Sequence, residues 1–146
     1  GVGSIFMGPD GTDSPEMGKI AGQALVGSYY TTVAAPAASA DFAKKFRQRF
    51  KKDVEAWAMY GYDAAAVGLG AIEQTVRELG GKKPSRSQVA ASIRKLKNFP
   101  GVTGSITFDG KGDPIKAKYF VLKFGKRQYP GDVVKVVEQE APGKKS

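Results

Sequence analysis

The 146-residue sequence contains no cysteine and no histidine. Their absence excludes cysteine nucleophiles, histidine general bases, zinc sites built from either residue, and the Ser-His-Asp triad. The sequence also lacks an apolar run near the roughly 18 residues that a membrane-spanning helix needs. An enzyme would have to use Asp, Glu, Lys, Tyr or Ser, and no pair of carboxylates follows a recognisable catalytic pattern. We therefore expect a protein that is not an enzyme.

Basic residues outnumber acidic residues by 23 to 14, which gives a net charge of +9. Such an excess can serve an anionic partner such as nucleic acid, or it can simply solvate a basic surface. The charges are scattered, and their densest run, 44–52, falls on one predicted helix beside a stripe of phenylalanines. We favour the solvated surface and expect no nucleic-acid partner.

Turn residues, capping residues and hydrophobic periodicity predict eight or nine elements. The order is strand, helix, strand, three helices and two or three further strands. The helices are predicted at about 14–25, 41–51, 62–79 and 85–97, and the strands at 5–7, 29–33, 106–108, 115–124 and 133–137. This succession indicates the α/β class.

Two of the predicted helices have a pattern that predicts a buried face. Phe42, Phe46 and Phe50 recur every four residues, which predicts one buried stripe. In the helix at 62–79 the predicted apolar face consists of Ala65, Ala66, Leu69, Ile72, Val76 and Leu79. A third helix, at 85–97, opens with Ser85-x-x-Gln88, which is the pattern of a capping box.

Four short motifs occur in a characteristic order. They are G-P-D-G at 8–11, A-G-x-A-x-x-G at 21–27, G-Y-D-A-A at 61–65, and G-x-x-x-F-D-x-x-G-D at 104–113. Together they make the chain resemble the C-terminal portion of the type I periplasmic solute-binding proteins of the leucine/isoleucine/valine family. The resemblance runs from about residue 5 to residue 124.

The resemblance implies a fold with two doubly wound α/β lobes joined by crossover strands. This chain would form a partial lobe of the three-layer α/β/α type, incomplete relative to the two-lobe parent, because it starts in mid-pattern without an initiator methionine. Residues 1–28 would end the second lobe and 29–40 would be a crossover or hinge. Residues 41–124 would supply helices and strands of the first lobe, and 125–146 a final crossover and a disordered basic tail.

The resemblance also implies a function without a cofactor. The parent would be the solute-binding component of an ABC importer, capturing branched-chain or related amino acids and delivering them to the permease subunits. Its location would be periplasmic or extracytoplasmic, with a membrane anchor in the full-length parent left open. The alternative is the ligand-binding domain of a sensor or regulatory protein. An isolated chain would expose lobe surfaces and strand edges, so we expect a homodimer or a domain swap.

Asp10 and Trp57 are the candidate ligand-binding residues. Family members that bind amino acids carry an acidic residue at the G-P-x-G position that pairs with the ligand ammonium, which implies this role for Asp10. The alternative is a turn aspartate that bonds to its own backbone. Trp57 lies five residues before Tyr62, where family members place an aromatic side chain that lines the cleft. The alternative is a tryptophan that packs at a helix junction.

Other polar residues of the motifs are expected to act structurally. Asp63 is predicted to cap the following helix, and Tyr62 to anchor that helix to the sheet. Asp109 and Asp113 resemble a fragment of a calcium loop, but the later acidic ligands are missing. We therefore expect no metal site.

Overall fold

The computed structural model describes residues 3–34, 39–55 and 57–140. The helices are α1 (Glu16–Ala21), α2 (Ala40–Phe50), α3 (Ala58–Glu78) and α4 (Arg86–Arg94), with short 3-10 turns at Asp10–Thr12 and Gly22–Leu25. The strands are β1 (Met7–Gly8), β2 (Tyr29–Thr32), β3 (Phe99–Gly101), β4 (Gly104–Ile106), β5 (Lys116–Lys123) and β6 (Asp132–Glu140). This mixture confirms the predicted α/β class.

The described residues divide into two compact units. The first contains residues 3–34 and 117–139, and the second contains 39–55, 57–116 and residue 140. The predicted assignment of 1–28, 29–40, 41–124 and 125–146 to lobes and crossovers stays a prediction. The predicted crossover or hinge at 29–40 includes residues 35–38, and the predicted final segment at 125–146 includes residues 141–146. Residues 35–38 and 141–146 lie outside the described residues.

The first unit is built on a four-stranded sheet with the order β1-β2-β5-β6. Strand β1 is parallel to β2, and β2 is antiparallel to β5 with Tyr30 opposite Leu122. Because side chains alternate along a strand, Tyr30 and Leu122 share the face that carries the core. That core consists of Leu25, Tyr30, Leu122 and Phe124, and the rings of Tyr30 and Phe124 stack at 4.8 Å.

The second unit consists of α2, α3, α4 and the β3-β4 hairpin. Strands β3 and β4 pair antiparallel, with Phe99 opposite Ile106. The predicted capping box begins α4, and both of its reciprocal hydrogen bonds between Ser85 and Gln88 are formed. Ser39 caps α2 by accepting a hydrogen bond from the backbone N–H of Phe42. Strand β3 was not predicted, because Pro100 and Gly101 indicated a loop.

The apolar face predicted for the helix at 62–79, which is α3, was wrong. Leu69 is 68% exposed. The buried stripe instead contains Met59, Asp63, Val67, Ala71 and Thr75. The helix is apolar around most of its circumference, so periodicity did not distinguish the buried face. Thr75 is accommodated there because its hydroxyl donates to the carbonyl of Ala71 at 2.7 Å.

Four further expectations for the second unit need correction. The rings of the phenylalanine stripe do contact one another along α2, but Phe50 at its end is 58% exposed. Helix α3 begins at Ala58 rather than at Tyr62. Asp63 therefore lies inside the helix and does not cap it. Tyr62 does not anchor α3 to a sheet either, because its exposed side chain meets the ring of Phe42 edge-on.

Candidate functional site

Asp10 opens the 3-10 turn that follows β1 in the first unit. Thr12 closes this turn, because its backbone N–H and its hydroxyl both donate to the carbonyl of Pro9, at 3.0 and 2.6 Å. A Cβ on Gly8 would collide with the side chain of Thr12, so the close approach requires glycine at that position. None of the contacts that close the turn thus involves the carboxylate of Asp10.

The carboxylate of Asp10 is exposed. Only its main chain is engaged, because the carbonyl of Asp10 accepts a hydrogen bond from the N–H of Asp13 at 2.9 Å. Within 3–34, 39–55 and 57–140, no hydrogen bond or ion pair involves the Asp10 side chain. A negative charge therefore stands on a well-defined turn with its acceptor positions open to a donor.

Asp13, which ends this turn, belongs to a buried polar cluster with Tyr129 and Tyr30. The Asp13 carboxylate is 9% exposed and accepts a hydrogen bond from the Tyr129 hydroxyl at 3.0 Å. Beside it, the pKa of Tyr30 is raised to about 12. Burial is the main cause, a hydrogen bond from the Gly131 N–H acts in the opposite direction, and the charge of Asp13 adds to the rise. Sequence reasoning missed this cluster, because its members are far apart along the chain and each occurs in an ordinary local context.

Trp57 lies in the second unit, immediately before the first residue of α3. Its indole is 42% exposed, and its ring lies 5.9 Å from the ring of Tyr60. Burial, followed by the charge of Asp63, raises the pKa of Tyr60. A half-exposed indole beside a second aromatic ring offers an apolar surface to an aliphatic group. The structure places Asp10 and Trp57 in different units.

The acidic residues that resembled a calcium loop form a backbone turn. Asp109 Oδ1 accepts hydrogen bonds from the N–H groups of Lys111, Gly112 and Asp113 at 2.8–2.9 Å, and such bonds lower the pKa of Asp109. In the part of the chain that the structure describes, no group of three or more His, Cys, Asp or Glu residues is placed to hold a metal ion. None of the described helices is both long and apolar enough to cross a membrane.

A groove of about 450 Å³ lies in the second unit between α3 and the start of α4. Its lining is mainly apolar but includes two cationic side chains. The lining residues are Ile72, Lys83, Pro84, Ser85, Arg86, Val89, Ala90 and Ile93. Neither Asp10 nor Trp57 contributes to it. The groove is thus distinct from both residues that the sequence singles out.

Comparison with known proteins gives consistent results. The family model described as "Periplasmic binding protein" matches residues 2–128. The Leu/Ile/Val-binding protein homolog 1 of Brucella abortus is 30% identical over 129 residues, which cover 86% of this chain and 33% of that protein. The leucine binding protein LivK of Thermotoga maritima is similar in structure, with a TM-score of 0.74 at 32% identity, covering 92% of this chain and 37% of that one.

A more distant solved structure shares the fold alone. LivJ of Streptococcus pneumoniae, solved in complex with isoleucine, gives a TM-score of 0.68 at 18% identity, covering 97% of this chain and 38% of that one. The chain thus spans about a third of the length of the proteins it matches. These likenesses confirm that the α/β architecture is a part of the periplasmic-binding-protein fold.

Proposed function

The chain belongs to the periplasmic binding protein family, and we propose that it forms part of a receptor for branched-chain or related amino acids. The receptor would serve an ABC importer and pass its ligand to the permease subunits, in the periplasm or another extracytoplasmic space. Two relatives support this ligand class, since their names describe Leu/Ile/Val binding and leucine binding. The family consists of binding proteins, so we propose no catalytic step.

The observation that carries the proposal is the open carboxylate of Asp10. An amino-acid ligand presents an ammonium group, and a carboxylate makes strong, short hydrogen bonds to such a cation. The turn and the buried Asp13 beneath it hold the Asp10 backbone in place. The ligand therefore does not have to order this segment when it binds.

Trp57 is proposed to cover the aliphatic side chain of the ligand. Its exposed indole face can remove apolar surface from water, and full burial of a Leu-sized side chain contributes about 1.5–3 kcal/mol. Each residue is proposed as a ligand contact of its own unit. Asp10 would contact the ammonium group that all amino acids share, and Trp57 would contact apolar side chains rather than polar ones.

Calorimetric titration of the intact receptor tests the role of Asp10. Removal of a hydrogen bond to a charged partner costs about 1.5–3 kcal/mol, so Asp10→Asn should weaken leucine binding about 10- to 150-fold. 4-Methylpentanoate, which is leucine without its ammonium group, should bind the variant and the wild type equally. Asp41→Asn is the matched control, because it removes one exposed negative charge at an ion pair with Lys45.

Unchanged leucine affinity in Asp10→Asn would remove Asp10 from the ligand site.

The alternative function, a sensor or regulatory domain, shares the ligand but not the partner. Leucine uptake by permease-containing vesicles that depends on the added receptor would favour the importer. Binding of leucine without such uptake would favour the sensor.

A further inference from the structure

The carboxylate of Asp63 is an internal link between two parts of the second unit. It is 3% exposed. Its Oδ1 accepts a hydrogen bond from the Val102 N–H at 2.8 Å, and its Oδ2 accepts from the Thr103 N–H at 2.9 Å and from the Thr103 hydroxyl at 2.5 Å. Three donors thus converge on one side chain of α3 from the turn between β3 and β4. We refer to these bonds as the Asp63–Thr103 contact.

The hairpin is shaped to allow this contact. A Cβ on Gly101 would lie 2.5 Å from Asp63 Oδ2 and 2.8 Å from Ile106 Cδ1, so only glycine lets the strand approach this closely. All three partners of Asp63 are hydrogen-bond donors. They suit an ionised carboxylate, because its oxygens can only accept hydrogen bonds. Hydrogen bonds to an ionised group are shorter and stronger than neutral ones. The hydrogen bonds of the Asp63–Thr103 contact are therefore both directional and strong.

The start of α3 depends on outside contacts. Trp57 stands at the N-cap position, where no side chain caps the helix, and no acidic residue lies in the first turn. Gly61 further weakens this end, because glycine is a poor helix former. Met59 is buried there, but apolar burial fixes neither the rotation nor the height of a helix by itself. Asp63 supplies directional bonds less than two turns after Trp57.

We propose that Asp63 is a positioning residue that sets the location of Trp57, by holding the first two turns of α3 on the β3-β4 turn. Asp63 does not touch the ligand in this scheme. The consequence for ligand affinity rests on the proposed function, but the positioning itself does not. The competing explanation is that the buried Met59 and the contact between Phe42 and Tyr62 hold the helix start alone.

Trp57 is the only tryptophan of the chain, so its fluorescence reports on this position directly. Asp63→Asn replaces one acceptor oxygen with an N–H₂ donor that faces other donors. Since the indole is 42% exposed in the wild type, acrylamide quenching of Trp57 should rise by up to about twofold if the helix start opens. Asp41→Asn is the control, because it makes the same charge change at an exposed site of α2.

Amide hydrogen exchange supplies a second readout that needs no ligand. The N–H groups of Val102 and Thr103 should exchange faster in Asp63→Asn, because each donates to the replaced carboxylate. The N–H of Leu79, which donates to the carbonyl of Thr75 at the far end of α3, should keep its protection. This difference separates a local release of the helix start from general destabilisation.

A milder pair of variants covers the case in which Asp63→Asn fails to fold. Thr103→Val removes only the hydroxyl donor, and Thr103→Ser retains it. We expect increased quenching of Trp57 in Thr103→Val and wild-type quenching in Thr103→Ser. Equal quenching in Thr103→Val, Thr103→Ser and the wild type would overturn the proposal. So would a folded Asp63→Asn variant with unchanged quenching.

Leucine titration of the intact receptor separates this inference from the proposed function. Increased Trp57 quenching together with weaker leucine binding supports both. Increased quenching with unchanged leucine affinity supports the positioning role of Asp63 and contradicts the ligand role of Trp57. Unchanged quenching overturns the positioning role whatever the affinity is.

Discussion

The hydroxyl of Tyr30 should make the stability of this chain fall steeply at alkaline pH. The side chain is fully buried, stacks on Phe124, and accepts a hydrogen bond from the Gly131 N–H at 3.3 Å. The pKa of Tyr30 is raised from 10.0 to about 12, mainly by burial and in part by the charge of Asp13. Above pH 10 the unfolded chain releases this proton, whereas the folded chain retains it.

The unfolded state therefore binds fewer protons between about pH 10 and pH 12, and the free energy of unfolding falls across that range. A shift of two pKa units corresponds to about 3 kcal/mol, most of which is lost by pH 12. None of it is lost well below pH 10, where the phenol is protonated in both the folded and the unfolded state. Other ionisable groups also titrate in this range, so the quantity of interest is the difference between the wild type and a Tyr30→Phe variant.

Urea denaturation followed by circular dichroism at pH 9 and at pH 11.5 measures this difference. At pH 9 Tyr30→Phe should be less stable by about 1 kcal/mol, because the Gly131 N–H loses its acceptor. At pH 11.5 the variant should be the more stable of the two. Tyr119→Phe, which removes a more exposed phenol, is measured alongside as a control. An equal loss of stability in Tyr30→Phe and the wild type over this range would refute the reasoning.

Two further predictions concern α4 and the exposed apolar surface. Ser85→Ala removes the hydroxyl that caps α4 in the capping box with Gln88, and it should lower the free energy of unfolding by about 1 kcal/mol. Ser85→Thr keeps a hydroxyl and should not lower it. Equal denaturation midpoints for the two variants would contradict this prediction. Ile20 is 82% exposed and Ile5 and Leu69 are also exposed, so the isolated chain should self-associate at high concentration. Light scattering that gives the monomer mass of 15.5 kDa at high concentration would contradict self-association.

The candidate site could be predicted in part. The G-P-D-G motif identified a tight turn, and the structure shows that turn with the carboxylate of Asp10 exposed. The buried support beneath it could not be predicted, because Asp13 and Tyr129 are separated by 116 positions. Whether Asp10 and Trp57 bind a ligand stays a prediction that the titration decides.

The features that depend on near neighbours were determined by the sequence itself. Ser85 and Gln88 stand three positions apart, so their capping box could be recognised from the order of the residues alone. The alternation over 115–124 predicted a strand, and β5 occupies Lys116–Lys123. The four motifs in their order were also sufficient to indicate the family. Each of these signals lies within one element or in the succession of elements.

Only the tertiary structure decided which face of α3 is buried and what Asp63 does there. The helix has apolar residues on more than one face, so several stripes were compatible with its periodicity. At Asp63 this face meets the β3-β4 turn, whose donors lie 39 and 40 positions from Asp63 along the chain. Hydrophobic periodicity depends only on the residues of the helix itself, not on the elements that pack against it. A buried carboxylate is tolerated or excluded by the partners that the rest of the fold brings to it.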